Sequence, residues 1–372
     1  MLSGWTRRTL LRAFGGVAGY GILERIARGR SQPTKLRLLP VHVARDRVVR
    51  TIVGLRPFRP TGYVVRTERR GEQTIVHHYG HGGCGVTLSW GTAELAAEEV
   101  MRTGEKRIAV LGCGAVGLAT ACLLQKRGLQ TTIYARDLPP NTLSDVAGAR
   151  WYPFDVFDAK VATPEFLAGM WKASRVAYNA FRKMAGPKYG IFFRPTYVFQ
   201  NTPLPKGSLL NFDSPVRGLL PGLRELFPEE NPTSAPVTRT FETMMIEPAI
   251  YLPAVMADYT EMGGHIVQRD FKSAADLAQL KERLVVNCSG LGATALFGDA
   301  EMYPIKGQLS ILPPQPEIDY VALAHGLYMF PRRDGIVLGG TFERNVSTLE
   351  PNRAAEDRIL AGHAKFFAEL GG

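Results

Sequence analysis

Residues 107–117 read Arg-Ile-Ala-Val-Leu-Gly-Cys-Gly-Ala-Val-Gly. A short apolar strand runs into Gly112-x-Gly114-x-x-Gly117, with Ala115 and Val116 opening helix-type sequence that continues to Arg127. Gly128 stops the helix, and Thr131-Thr132-Ile133-Tyr134 reads as a second strand. This is the opening βαβ unit of a dinucleotide-binding fold. Gly112 makes the tight turn, Gly114 lets backbone amides approach a pyrophosphate, and Gly117 lets helix pack close on strand. The second strand ends Tyr134-Ala135-Arg136-Asp137. An acid after that strand can hold a ribose hydroxyl; here Arg136 comes first and the acid, Asp137, one position later. On these residues alone the dinucleotide can be FAD or a nicotinamide cofactor.

Such a unit usually starts a chain, yet residues 1–106 precede it. That front part contains Gly54-Leu55-Arg56-Pro57-Phe58-Arg59-Pro60. It also contains Val76-His77-His78-Tyr79-Gly80-His81-Gly82-Gly83-Cys84-Gly85-Val86-Thr87-Leu88-Ser89-Trp90-Gly91. After the βαβ unit come Thr142-x-Ser144-Asp145-Val146-Ala147-Gly148 and Val285-Val286-Asn287-Cys288-Ser289-Gly290-Leu291-Gly292. Lys306-Gly307-Gln308, Tyr328-Met329-Phe330-Pro331 and Leu338-Gly339-Gly340-Thr341-Phe342 follow. Over roughly residues 45–372 the chain resembles the D-amino-acid oxidase family, which includes the D-aspartate oxidases. In that family the two front motifs close the chain. The chain thus looks like a circular permutant, its old C-terminal piece joined to the first strand through Arg102-Thr103-Gly104-Glu105-Lys106. Domain termini often lie close together, so such rejoining costs little. A misassembled gene model, or two chains that swap the segment as in a homodimer, are the alternatives.

The resemblance implies an α/β fold: an FAD-binding Rossmann-like domain plus a β-rich α+β substrate domain, circularly permuted. The expected division gives residues 36–73 to substrate-domain strands. Residues 74–160 and 243–298 go to the FAD-binding domain, and 161–242 and 299–372 to the substrate domain. It implies FAD as cofactor, with Arg136 or Asp137 at the adenosine end. Thr142, Ser144 and Asp145 would lie near the pyrophosphate and flavin linker. Ser289 belongs to the same binding set, and Gly82, Gly83, Cys84, Gly85, Val86 and Thr87 would lie against the flavin ring. Arg56 matches the family arginine that grips the substrate α-carboxylate, a task for which a rigid bidentate fork is suited. Tyr328 matches the tyrosine that donates to the same carboxylate, and Gly83 a glycine whose carbonyl accepts from the substrate amine. The implied reaction passes the Cα hydrogen as hydride to flavin, with dioxygen reoxidising it to give hydrogen peroxide. Phe241 and Met245 fall where some members carry a substrate-contacting Tyr or a basic residue. They suggest an apolar side-chain pocket and neutral D-amino acids, with acidic ones second if Arg217, Arg332 or Arg333 supplies a cation. A flavin-binding protein without oxidase turnover is the rival from another class.

Of the net charge of +11, residues 1–30 contribute +5, from six Arg and one Glu. The rest is mildly basic, with no basic stripe interleaved with aromatics, so nucleic acid is not an expected partner. The four cysteines show no CxxC spacing, and neither a metal site nor a disulfide framework is expected. His77 and His78 alternate on a strand and face opposite sides, so they form no pair of metal ligands. Thr6-Arg7-Arg8-Thr9-Leu10-Leu11-Arg12, followed by an apolar stretch to Leu23, resembles a twin-arginine export signal. It predicts an exported protein, with residues 1–30 as a membrane anchor if retained. Other targeting, or none and a cytoplasmic protein, is the alternative. Ser31 to Lys35 reads as a linker.

Overall fold

A computed structural model describes residues 34–370. The export-type signal expected over residues 1–30 lies outside the described residues. In chain order, β1 (Arg50–Phe58), β2 (Val64–Arg70) and β3 (Gln73–Tyr79) come first. They are followed by α1 (Gly85–Arg102), β4 (Arg107–Leu111), α2 (Ala115–Lys126) and β5 (Gln130–Ala135). Next are α3 (Pro164–Lys183), β6 (Ile191–Gln200), β7 (Arg224–Glu225), β8 (Val237–Ile246), α4 (Pro248–Glu261) and β9 (His265–Gln268). The last third holds β10 (Leu284–Asn287), α5 (Gly292–Phe297), β11 (Tyr303–Leu312), β12 (Val321–Ala324), β13 (Leu327–Arg332), β14 (Gly335–Gly339), β15 (Glu343–Arg344) and α6 (Arg353–Leu370). No helix among the described residues is long and apolar enough to cross a membrane.

Two sheets divide these strands. One has six strands in the order β2-β3-β10-β4-β5-β9, parallel from β3 to β9. Its central strands carry unbroken apolar runs: Leu284, Val285 and Val286 of β10 are fully buried, as are Ile108, Ala109 and Val110 of β4. Such continuous runs suit a parallel sheet covered on both faces. The other sheet has nine strands, ordered β1-β11-β14-β13-β12-β6-β8-β7 with β15 beside β11.

The front of the chain enters both sheets. β1 pairs antiparallel with β11, with Arg56 opposite Ile305. β2, expected with the substrate-domain strands of 36–73, instead pairs antiparallel with β3 in the six-stranded sheet. The cause is local: only Gly71-Glu72 separate the two strands, and Gly71 has φ +59°. A two-residue hairpin of this kind leaves β2 nowhere to go but beside β3. The expected boundary at residue 243 falls inside β8, which stays in the nine-stranded sheet to Ile246 because it pairs with β6 along its whole length.

α1 begins at Gly85, directly after the second glycine motif. Residues 85–91 include two glycines and a serine, and propensity alone gives them little helical signal. Tertiary packing forms this turn. Gly91 lies so close to α3 that a Cβ there would sit 1.9 Å from the Ala173 carbonyl oxygen. α3 is amphipathic, capped by the Thr163 hydroxyl accepting from Phe166 N at 3.2 Å. It buries Met170, Ala173, Ala177 and Phe181. Full burial of Met170 or Phe181 contributes about 2 kcal/mol each.

Candidate active site

The parallel strands β3, β10, β4 and β5 all end at one edge of the six-stranded sheet, and a cavity of about 1360 Å³ opens there. Ligands of open α/β sheets bind outside these carboxyl ends. Pockets for drug-sized ligands span roughly 300–1,000 Å³, so this volume accommodates a dinucleotide and a small substrate together.

The glycine turn after β4 is built as its spacing predicts. Gly112 has φ +103°, and a Cβ on it would meet the Cys288 carbonyl oxygen at 2.6 Å. A Cβ on Gly117 would lie 2.0 Å from the Gly112 carbonyl oxygen, so α2 packs tightly on the turn. Gly117 therefore acts through packing and does not line the cavity, whereas Gly112, Gly114, Ala115 and Val116 do. Ser144 covers the first turn of α2: its Oγ accepts from Ala115 N at 3.0 Å and would lie 2.9 Å from a Cβ on Gly114. Asp145, expected at the cofactor, is turned into its own loop and does not line the cavity. Its Oδ2 accepts from Thr142 N at 2.8 Å and from Thr142 Oγ1 at 2.7 Å. Thr142 itself lines the cavity, as do Ser289, Arg136 and Asp137. Arg136 Nε donates to Asp137 Oδ2 at 2.8 Å, and Ser289 Oγ donates to Asn287 Oδ1 at 2.6 Å.

The second glycine loop follows β3. Gly80 and Gly82 have positive φ, and Gly82–Cys84 form a 3₁₀ turn into α1. A Cβ on Gly82 would fall 2.3 Å from the Asp155 carbonyl oxygen. Gly82, Gly83, Cys84, Gly85, Val86 and Thr87 all line the cavity. The helices α1 and α2 thus both start at its wall, and the first N–H groups of a helix have no intrahelical partner and favour negative charge. Glycine cradles and paired helix N-termini fit FAD. Cys84 is buried, its Sγ donates to the carbonyls of Tyr152 and Phe154, and burial pushes the thiol up to about 12. Among the neighbouring histidines, His78 Nδ1 meets Thr120 Oγ1 at 3.0 Å and His81 Nε2 meets Thr92 Oγ1 at 2.9 Å. Burial pulls His78 well below its usual range and His81 down to about 3. Both are neutral packing groups.

The nine-stranded sheet supplies the far wall. Arg56 projects from β1 across Gly307 of β11, where a Cβ would lie 2.5 Å from Arg56 Nη1. Its Nη1 donates to the Thr341 carbonyl at 3.3 Å, and its Cδ lies 3.3 Å from where Gly83 would carry a Cβ. Among the described residues Arg56 has no ion-pair partner within 4 Å. Tyr328 of β13 stands opposite Gly339 of β14. Its ring lies over Gly339 and Gly340, where added Cβ atoms would come within 2.0 Å and 2.6 Å of it. Its hydroxyl lies against Arg56. Arg56, Tyr328 and Gly83 therefore share one corner. Asp155, which sequence reasoning did not single out, opens onto the same corner. Desolvation pushes its carboxyl up, and Arg56 and Arg344 counter this.

Phe241 and Met245 do not form the side-chain pocket. Both lie on β8 beside β6 and are buried, 2% and 1% exposed, and neither lines the cavity. In β8 they point into the cores beneath the sheet. Arg332 is tied to Asp334 and the Ala147 carbonyl, Arg333 stands over Phe192 beside Glu247, and Arg217 packs on Phe212. None of the three lines the cavity. The wall there is made by Arg150, Tyr152 and Phe330.

The class of protein is then plain. A family described as FAD dependent oxidoreductase matches residues 25–99 and 107–372, and the chain belongs to it, with FAD as cofactor. Among curated relatives, D-amino-acid oxidase of Dictyostelium discoideum is 28% identical over 260 residues, 68% of this chain and 70% of that one. D-amino-acid oxidase of Rubrobacter xylanophilus is 31% identical, covering 68% and 75%. D-aspartate oxidase of Homo sapiens is 29% identical, covering 68% and 74%. Glycine oxidase from Geobacillus kaustophilus shares the fold at TM-score 0.54 and 16% identity, covering 70% of this chain and 78% of that chain.

Proposed function

We propose that this chain is an FAD-dependent oxidase of D-amino acids, converting them with dioxygen and water to 2-oxo acid, ammonia and hydrogen peroxide. The observation that carries the reading is the Arg56–Tyr328 corner: a guanidinium with no ion-pair partner within 4 Å among the described residues, beside a buried phenol, on the wall facing the glycine loops. Arg56 takes the α-carboxylate in a bidentate pair and Tyr328 donates to it. Desolvation raises the Tyr328 pKa, so the phenol stays protonated and remains a donor. The Gly83 carbonyl accepts from the substrate amine, which holds the Cα–H toward the cofactor. The chemistry that FAD would supply when bound is that of a hydride acceptor able to be reoxidised by dioxygen. The backbone N–H groups of α1 at Gly85, Val86 and Thr87 favour negative charge at the cavity wall. The relatives named D-amino-acid oxidase support the D configuration. Anaerobic mixing of the yellow protein with D- and L-amino acids tests the reading: bleaching by D-enantiomers is expected, and a flavin bleached by none would overturn it.

The proposal includes the permuted order of the chain. Two features support it. The family match breaks between residues 99 and 107, at the join before β4. Leu38 and Leu370 also pack on one cluster, with Val41, Phe366 and Phe367 at its core, which brings the two ends of the described chain together. Export through residues 1–30 remains part of the proposal, tested by whether Arg7→Lys with Arg8→Lys blocks appearance outside the cytoplasm.

A further inference from the structure

Arg150 is 7% exposed, yet its Nε and Nη1 have no hydrogen-bond partner among the described residues. No carboxylate among the described residues lies within ion-pair distance of it. Arg332, equally buried, shows what a structural arginine looks like here: Nε bonds Asp334 at 2.7 Å and Nη1 bonds the Ala147 carbonyl at 3.2 Å. Arg150 is held by apolar contact instead. Its guanidinium stands 4.5 Å over the Tyr152 ring and 6.0 Å from the Phe154 and Phe330 rings. The charged or titratable groups that face it are Tyr152, Cys84 and Tyr328, and burial raises all three, so none supplies an anion at neutral pH. Asp155, on the same wall, faces Arg56 and Arg344.

A guanidinium remains protonated in proteins, and a buried one without an anion is costly. The missing negative charge must come from a ligand, and Arg150 lines the cavity that holds Arg56. The two cations are separated by an aromatic pair: Tyr328 touches Arg56, stacks on Phe330 at 4.7 Å, and Phe330 adjoins Arg150. One face of the cavity therefore offers two separate carboxylate sites.

We propose that Arg150 is the specificity-determining residue that takes the side-chain carboxylate of a dicarboxylic D-amino acid. Acidic substrates are then preferred over neutral ones, the reverse of what Phe241 and Met245 suggested. The inference rests on the oxidase reading of the same site.

The test compares kcat/KM for D-aspartate, D-glutamate, D-alanine and D-methionine in the FAD-loaded wild type and in Arg150→Met and Arg150→Lys. The wild type should favour an acidic substrate at least tenfold. Arg150→Met should lose on the order of 100-fold more on acidic substrates than on neutral ones, chiefly in KM. Arg150→Lys should recover part of the loss. A wild type that favours D-alanine or D-methionine overturns the inference while leaving the oxidase reading intact, whether or not the variants fold. An equal loss on all four substrates with a shifted flavin reduction potential overturns it too, since Arg150 would then serve the cofactor. Reduction by none of the four would instead fail the oxidase reading itself.

Discussion

Gly307 on β11 and Arg56 on β1 are locked together: the guanidinium lies where a side chain at residue 307 would stand, 2.5 Å from an added Cβ. The strand pairing places Gly54 opposite Gly307, so Arg56 reaches diagonally across the bare backbone. Gly307→Ala should push the guanidinium off its seat while leaving β11 intact. We expect KM for D-amino acids to rise about tenfold or more, with FAD affinity unchanged, since misplacing a positioning group by an ångström is costly. Unaltered KM would show that Arg56 does not need this seat.

Replacing Arg56 itself should do more. Arg56→Leu strands a substrate carboxylate without a partner, for an expected loss of ~3–5 kcal/mol in apparent transition-state binding. Tyr328→Phe removes one hydrogen bond and should cost about 1 kcal/mol. Steady-state kcat/KM on D-amino acids measures both, and a near-normal Arg56→Leu enzyme would remove Arg56 from the role.

On the cofactor side, Gly112→Ala places a methyl 2.6 Å from a backbone carbonyl at φ +103°. The turn after β4 cannot keep its shape around that clash. The variant should purify with little or no flavin, as read from its absorbance. Full flavin content would mean the turn yields without losing its ligand.

Acid should weaken the fold through the buried histidines. His81 is held down to about 3, below its unfolded value of 6.5, and His78 is shifted in the same direction. The unfolded chain takes up protons below pH 6.5 that the folded chain refuses. Their contribution is thus full above 6.5 and falls as pH drops toward 3, by up to about 1.4 kcal/mol per pH unit for each histidine. Urea midpoints between pH 7 and pH 5 should fall, and His81→Gln, which can keep a bond to Thr92, should flatten the slope. A midpoint independent of pH across that range would contradict this.

Chain order can be tested by undoing it. Opening the chain between Gly104 and Glu105 and moving residues 36–104 behind residue 372 with a short flexible linker should give a folded, flavin-loaded protein. Leu38 and Leu370 share one cluster, so the new join spans little distance. An insoluble product with several linker lengths would argue that these ends are not naturally exchangeable.

Much of the cofactor half was legible before any coordinates. Gly112-x-Gly114-x-x-Gly117 between two strands specifies a turn by sterics, and sterics travel with sequence. The substrate half was less so. Phe241 and Met245 were read as pocket residues by position, but a strand's alternation and the sheet's curvature decide which face meets the cavity, and neither is written in ten residues. Arg150 matches no motif, yet the run Val146-Ala147-Gly148-Ala149-Arg150-Trp151-Tyr152 carries a lone charge in an apolar setting. That anomaly was the available signal. Asp145 shows the converse: an acid inside a motif folded back on Thr142 to hold the loop. The signal that places β2 beside β3 is the two-residue Gly71-Glu72 turn, which a reading by motif does not capture.

The placement of β10 between β3 and β4 has a consequence for synthesis. β3 finds only β2 and β10 as neighbours, and β4 only β10 and β5. While the ribosome is still short of residue 287 of 372, the two halves of that sheet have no strand to bridge them. The carbonyl of Cys288, against which Gly112 turns, is missing as well. A nascent chain therefore carries its complete phosphate-binding motif for more than 170 residues before it can close around a nucleotide. Cofactor capture becomes a nearly post-translational event, and a transcript cut short before β10 yields a product that displays the motif and holds nothing.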